Sequence, residues 1–416
     1  MIGHPELRGQ GDPSLQRRRL SDAVLDGGEP PMPSLSTFLA AFQPRPKMAV
    51  AAFFPTIDPA NPGIADPTWN WLQGQWKSIA DAGPAVRVVV AADWLGFDAG
   101  TWPNPSTYMA IGSAENGRAR TMFANCRARG QLVYGYLYGA GGRLALHPSV
   151  PGQPVSDPLD PAHVRTYPAL ADQVDAWLAK YSDGTLPSGE LVNSYIDGFF
   201  IDVGPTDCTP PTAQGYNAFS QYIRQYKLRR TLPPGTNFLG PLLYPLGLYL
   251  NAAGWPDLAA PPPPLLASWM QKLNPDFIGI WELDHQRYKD PQKYGASDYC
   301  AGGGANANLL WDPANNRPVI PTWWDPGPQS IIDLLFGRTG RAARAATVTG
   351  VSDAATTLQI AQLAVSRGTY TVWITLGWQD PIRGTVYDRL PPQAVWDTQV
   401  QFFTPPPRIT PFGRRR

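Results

Sequence analysis

Eight short runs of β-branched and aromatic residues recur along this chain, at 48–55, 86–92, 132–138, 196–202, 237–243, 277–282, 319–324 and 369–375. They are apolar at successive positions, the pattern of a strand buried on both faces. The segments between them are long enough for a helix each. Helix-length candidates lie at 68–82, 117–129, 169–181, 216–230 and 354–367. In the first of these, Trp69, Leu72, Trp76 and Ile79 fall at i, i+3, i+7 and i+10, one apolar stripe of a helix. Buried strands alternating with such helices predict an α/β fold with a parallel sheet, and eight units predict a single (β/α)8 TIM-type barrel. A doubly wound open sheet is the alternative. It is less favoured because Pro55-Thr56-Ile57-Asp58 follows the first run, where a dinucleotide fold would carry a glycine-rich phosphate turn.

The barrel is expected over 48–403. Residues 1–47 read as an N-terminal extension or docking arm: Arg17-Arg18-Arg19 and Pro30-Pro31 sit in polar sequence, and 35–42 has the pattern of a short amphipathic helix. Residues 404–416 read as a proline- and arginine-rich C-terminal tail. Both ends are candidate contacts with protein neighbours. The 47 prolines gather in loops and tails, as in Pro261-Pro262-Pro263-Pro264, where they act as stiff spacers.

Two of the apolar runs end in an acid. Ile196-Asp197-Gly198-Phe199-Phe200-Ile201-Asp202 is one, and Asp276-Phe277-Ile278-Gly279-Ile280-Trp281-Glu282 is the other. In a barrel, side chains at strand carboxyl ends converge on one face. Collecting them strand by strand gives Thr56 and Asp58, then Asp93 and Trp94, then Tyr136 and Tyr138 with Arg143 beyond a glycine-rich turn. Asp202 follows, then Tyr244 and Asn251, then Trp281 and Glu282 with Asp284 and His285. The last two ends give Trp323, Trp324 and Asp325, and Thr375 and Trp378. Acids ringed by Trp and Tyr suit a sugar-binding groove, because these rings offer an apolar face and a polar edge. Glycosidic cleavage needs two carboxyls, one protonated for the leaving oxygen and one ionised to attack or to activate water. Glu282, which follows Ile280 and Trp281, is the candidate proton donor, and Asp202 the nucleophile, base or electrostatic stabiliser. Asp93, Trp94, Tyr136, Tyr138, Arg143, Trp281, Trp323, Trp324 and Trp378 are the candidate substrate-binding residues. The competing account is that acids at strand ends cap helices or turns, as Asp202 could before Val203-Gly204. Asp197, at the start of its run, faces the other end of the barrel and reads as structural.

Other chemistries find less support. The net charge of +1 argues against nucleic acid or an anionic membrane as partner. The four histidines have no ligand spacing, so neither a metal nor another cofactor is expected. No nucleophile-elbow pattern occurs. Of the three cysteines, Cys208 and Cys300 each follow an acid-bearing strand. A disulfide between them and two unpaired thiols both remain open, with unpaired the default. The apolar stretch 238–250 is too short, and too broken by Pro241 and Pro245, to span a bilayer. Residues 1–20 lack the apolar segment of a secretory signal. Synthesis in the cytoplasm is expected, with virion association or release by lysis as routes to a polysaccharide.

The residues also resemble the spherulin-4 family. The likeness runs from about Met48 to about Trp396 and is carried by five stretches in order. They are Ala51-Ala52-Phe53-Phe54-Pro55, then Leu132-Val133-Tyr134-Gly135-Tyr136 leading to Gly142-Arg143, then 197–202, then 276–282, and finally Tyr387-Asp388-Arg389-Leu390-Pro391. The resemblance implies a (β/α)8 glycoside hydrolase acting on α-1,4-linked galactosamine-containing polysaccharide, with Asp202 and Glu282 as its acids. The sequence departs from the family at Val203, where a glutamate usually follows the strand-four aspartate. The alternative is therefore a catalytically inactive barrel serving as a structural or glycan-binding part of an assembly such as a phage particle.

Overall fold

The computed structural model describes residues 46–56, 58, 60–61, 63–97, 109–139, 153–156, 164–183, 193–204, 218–219, 221–223, 227–230, 242–252, 275–290, 311–312, 317–318, 343–367, 369–376 and 387–404. The main strands, in chain order, are β1 (Lys47–Ala52), β2 (Val86–Ala91), β3 (Leu132–Tyr138), β4 (Gly198–Gly204), β5 (Gly247–Ala252), β6 (Phe277–Asp284), β7 (Ala343–Thr349) and β8 (Thr371–Ile374). Each pairs in parallel with its neighbour in sequence, and β8 pairs with β1 through Thr371 opposite Lys47 and Val372 opposite Met48. The fold is α/β and TIM-like.

Successive apolar residues are explained by burial on both faces of the sheet. Ala49, Val88, Val90, Leu132, Tyr134, Phe200, Tyr249, Phe277 and Ala345 meet in one cluster inside the ring of strands. Their sequence neighbours, among them Val50, Val89, Val133, Phe199, Ile201 and Leu250, pack in a larger cluster with the helices. The longer helices are α1 (Asn70–Asp81), α2 (Ala114–Ala128), α3 (Leu170–Tyr181), α4 (Ala354–Ser366) and α5 (Gln393–Phe403). The stripe read from the sequence is buried: Leu72, Trp76 and Ile79 lie on α1, and Trp69 precedes its first turn in a left-handed conformation, φ 59°. Ser113 caps α2 through the Asn116 N–H, and Asp353 caps α4 through the Thr356 N–H, each satisfying an otherwise orphaned donor.

Two strands lie elsewhere than the sequence suggests. The fifth is Gly247–Ala252, not 237–243. Pro241 within the expected run lacks a ladder donor, and Leu242–Pro245 instead forms a two-stranded antiparallel ribbon with Lys227–Arg230. That ribbon also takes the last four residues of the helix expected at 216–230. Gly247 opens the true fifth strand because the ring is crowded there. A β-carbon at this position would lie 1.9 Å from the Tyr134 hydroxyl oxygen, so glycine is required. The expected run at 319–324 lies outside the described residues, and the seventh strand of the parallel sheet is Ala343–Thr349. Its alanines favour helices in isolation, yet small Ala345 fits the crowded interior beside Phe277 and Tyr249. The helix at 393–403 and the short helix at His285–Lys289 were not anticipated.

Candidate active site

Asp202 lies near the carboxyl end of β4 and Glu282 near that of β6, and β5 runs between them. Asn251 of β5 joins the two. Its Nδ2 donates to Asp202 Oδ1 at 3.0 Å and to Glu282 Oε2 at 3.0 Å. The two acceptor oxygens therefore stand no more than about 6 Å apart. Each acid takes a further bond from a tyrosine. The Tyr136 hydroxyl of β3 donates to Asp202 Oδ2 at 2.8 Å, and the Tyr387 hydroxyl donates to Glu282 Oε1.

Local backbone geometry aims these groups. The register of β5 shifts against β4 between Leu250 and Ala252, and that of β6 shifts against β7 between Gly279 and Trp281. Such irregularities re-aim side chains beside active sites. Asn251 faces Gly279 across the β5–β6 ladder, and a β-carbon on Gly279 would lie 2.4 Å from Asn251 Oδ1. The missing side chain is the space that the amide uses. Tyr387 belongs to the turn before α5, and the Leu390 N–H anchors that turn by donating to Gln75 Oε1 of α1 at 3.0 Å.

Phe53, just past β1, forms the apolar wall. Its ring meets Tyr136 edge-on at 5.2 Å and Tyr387 edge-on at 5.6 Å, so one phenyl group touches both tyrosines that bind the acids. Burial, and then the charge of Asp202, raise Glu282 above the ordinary carboxylate range, against the opposing bonds from Tyr387 and Asn251. Burial and the neighbouring Glu282 hold the Tyr387 hydroxyl well above the usual phenol range. Glu282 is thus suited to holding a proton beside a second carboxyl.

The other candidates scatter. Asp93 opens the short helix Asp93–Gly96 and accepts from the Trp94 N–H at 2.8 Å, while Trp94 packs edge-on against Trp69 at 5.7 Å. Tyr138 is buried, with its backbone clamped by Gln173 of α3. Trp281 adjoins Glu282 in β6, and its side chain lies outside the described set, as do Arg143, Trp323, Trp324 and Trp378 entirely. The assignment of Trp323 and Trp324 to the end of the seventh strand is corrected by the true β7, which ends at Thr349. Tyr244 belongs to the ribbon and not to β5. Asp58 accepts from the Ala60 N–H and the Asn61 amide, and Asp284 from the Gln286 N–H. Cys126 is a buried free thiol pushed up to about 12 by desolvation, and Cys208 and Cys300 lie outside the described residues. Phe53 and Tyr387 were missed as site residues, although both fall within stretches that carry the family resemblance.

Among the described residues no cluster of three His, Cys, Asp or Glu side chains could hold a metal, and no helix is long and apolar enough to cross a membrane. No protein-family model matches the chain, and no curated protein matches it. Solved structures with a similar course include Aspergillus clavatus Sph3 in complex with GalNAc, at 14% identity and TM-score 0.45, covering 86% of this chain and 98% of that one. A glucosidase from Croceicoccus marinus matches at 12% identity and TM-score 0.40, covering 86% and 67%. A GH5-4 broad specificity endoglucanase from Clostridium acetobutylicum matches at 13% identity and TM-score 0.38, covering 86% and 96%. All three scores lie under 0.5, so function has to be read from this chain's own residues.

Proposed function

We propose that this protein is a glycoside hydrolase whose acid pair is Asp202 and Glu282, carried on one complete (β/α)8 unit. The observation that supports this most is the shared amide: Asn251 Nδ2 binds one oxygen of each acid. Acids that merely capped turns would be satisfied by nearby backbone N–H groups. These two take bonds from Asn251, Tyr136 and Tyr387, side chains from other segments of the barrel. The polymer class, an amino-sugar- or galactose-containing polysaccharide, follows from the sequence resemblance alone.

In this reading Glu282 gives its proton to the glycosidic oxygen, and the O–H electron pair stays on the carboxylate. The bond from the anomeric carbon to that oxygen breaks, and its electrons leave with the departing sugar. Carboxyl pairs about 5–5.5 Å apart belong to enzymes whose second acid attacks, and wider pairs of roughly 6.5–9.5 Å to those that activate water. A limit of about 6 Å on the nearest oxygens favours the first, with an Asp202 oxygen bonding to the anomeric carbon. Water then displaces Asp202, giving its proton to Glu282 and restoring both acids. The lost glutamate at position 203 is not needed for these steps.

The test is incubation with acetylated and with deacetylated galactosaminogalactan, followed by product sizing. Glu282→Gln should lower cleavage about 10²–10⁴-fold while binding is kept. Equal cleavage by wild type and variant would remove Glu282 from the reaction.

A further inference from the structure

Glu282 has one partner that can only give and one that can turn round. Asn251 meets Oε2 through an amide nitrogen, which donates and does not accept. Tyr387 meets Oε1 through a hydroxyl, which does either. We propose that the proton of Glu282 is carried on Oε1, in the contact with Tyr387, and that Tyr387 is the positioning residue whose hydrogen bond reverses as Glu282 changes state. This rests on the acid role given to Glu282 above.

When Glu282 is ionised, both partners donate and both oxygens are satisfied. When it is protonated, Oε1–H donates to the Tyr387 oxygen and the hydrogen of Tyr387 turns away. Oε2 keeps the Asn251 bond as a plain carbonyl. Both Glu282 oxygens keep a partner in either state, so neither is left as an orphaned buried polar atom. A proton on Oε2 would compete with the Asn251 N–H for that side of the oxygen. The pull of Asp202 does not change this, because the Asn251 amide already fills the gap between Oε2 and Asp202. Among the described residues, the other ionisable groups facing the pair are Tyr249 of β5, beside Tyr387, and Tyr136 of β3, which binds Asp202. Phe53 closes the side toward β1 and offers no alternative acceptor.

Infrared difference spectra between low and high pH decide the oxygen, with Glu282→Gln assigning the acid carbonyl band. If Oε2 is the carbonyl, Asn251→Ala removes its donor and the band moves to higher frequency, while Tyr387→Phe leaves it nearly in place. Tyr387→Phe should also move the titration midpoint of Glu282 upward, since a donor to the ionised form is lost. Should Asn251→Ala fail to fold, Gly279→Ala displaces the same amide and replaces it. A band that moves in Tyr387→Phe and not in the amide variants overturns the assignment. So does an equal shift in both, or the absence of any Glu282 acid band. The spectra need no substrate, so a protein that cleaves no glycan still tests the proton's position, and cleavage with the opposite band pattern sinks only this assignment.

Discussion

β4 and β6 each have an acid at both ends, and the two ends treat their acids differently. At the amino ends, Asp197 is fully buried and accepts from the Val133 N–H at 3.0 Å and from Arg127 Nε at 3.2 Å, and Asp276 accepts from the Leu248 N–H at 2.9 Å, with the Tyr134 hydroxyl at a longer 3.5 Å. At the carboxyl ends, Asp202 and Glu282 take bonds from Asn251, Tyr136 and Tyr387, all neutral side chains. A backbone N–H or a guanidinium stabilises a fixed negative charge. A hydroxyl can follow a charge that comes and goes. The same strand, within five residues, thus carries a structural acid and a candidate reactive one.

The contrast is sharpest in paired substitutions on β4. Asp202→Asn should lower glycan cleavage on the order of 10³-fold with little change in unfolding midpoint, since the amide keeps shape and most hydrogen bonds. Asp197→Ala should do the reverse. It orphans the Val133 N–H and leaves the Arg127 charge with only the Ser194 carbonyl, costing about 3 kcal/mol in urea denaturation. If Asp197→Ala abolished cleavage in a protein of undiminished stability, the division between the two ends would be wrong.

A smaller effect is expected two strands away, on β6. Gly279→Ala should cost about 1–3 kcal/mol, because its methyl meets the Asn251 amide and neither neighbour can retreat freely. Gly74, exposed on α1 with nothing within 4 Å of an added β-carbon, is the control. There the same change should stabilise by about 0.5–1 kcal/mol. Thermal melts of the two variants moving in opposite directions would tie the Gly279 cost to the site and not to glycine replacement in general.

Much of this was legible in the sequence because burial on both faces leaves a loud signal. The strands at Val86–Ala91, Leu132–Tyr138 and Phe277–Asp284 are nearly unbroken runs of large apolar residues, and Asp202 and Glu282 follow from where two such runs stop. β5 was misplaced because 238–250 is apolar almost throughout, so hydrophobicity cannot say which part pairs. β7 was missed because its buried positions include Ala345 inside the ring and Ala346 on the helix side, and such small residues look unlike a strand. Asn251 reached the site although its strand was misread, because it lies near the end of the same apolar stretch. Tyr387 gave no periodic signal at all. It works from a turn whose place depends on Gln75, more than 300 residues earlier, and such a contact is tertiary information.

The smallest effect separates the two kinds of acid by pH. Folding raises Glu282 above its ordinary value of 4.5, through burial first and the Asp202 charge second. Between that value and the raised one, the folded protein holds a proton that the unfolded chain has released. Stability therefore falls as pH rises through the window, by up to about 1.4 kcal/mol for every tenfold difference in proton affinity. Asp353, the cap of α4, is held low by the Thr356 N–H and acts with the opposite sign, its contribution being lost as pH falls. Subtracting the stability curve of Glu282→Gln from that of wild type cancels Asp353 and isolates the first effect. The difference should decline across the window and level off above it. A flat difference would mean that Glu282 ionises as readily in the fold as in the open chain, and the carboxyl end of β6 would then hold a fixed charge just as the amino end of β4 does.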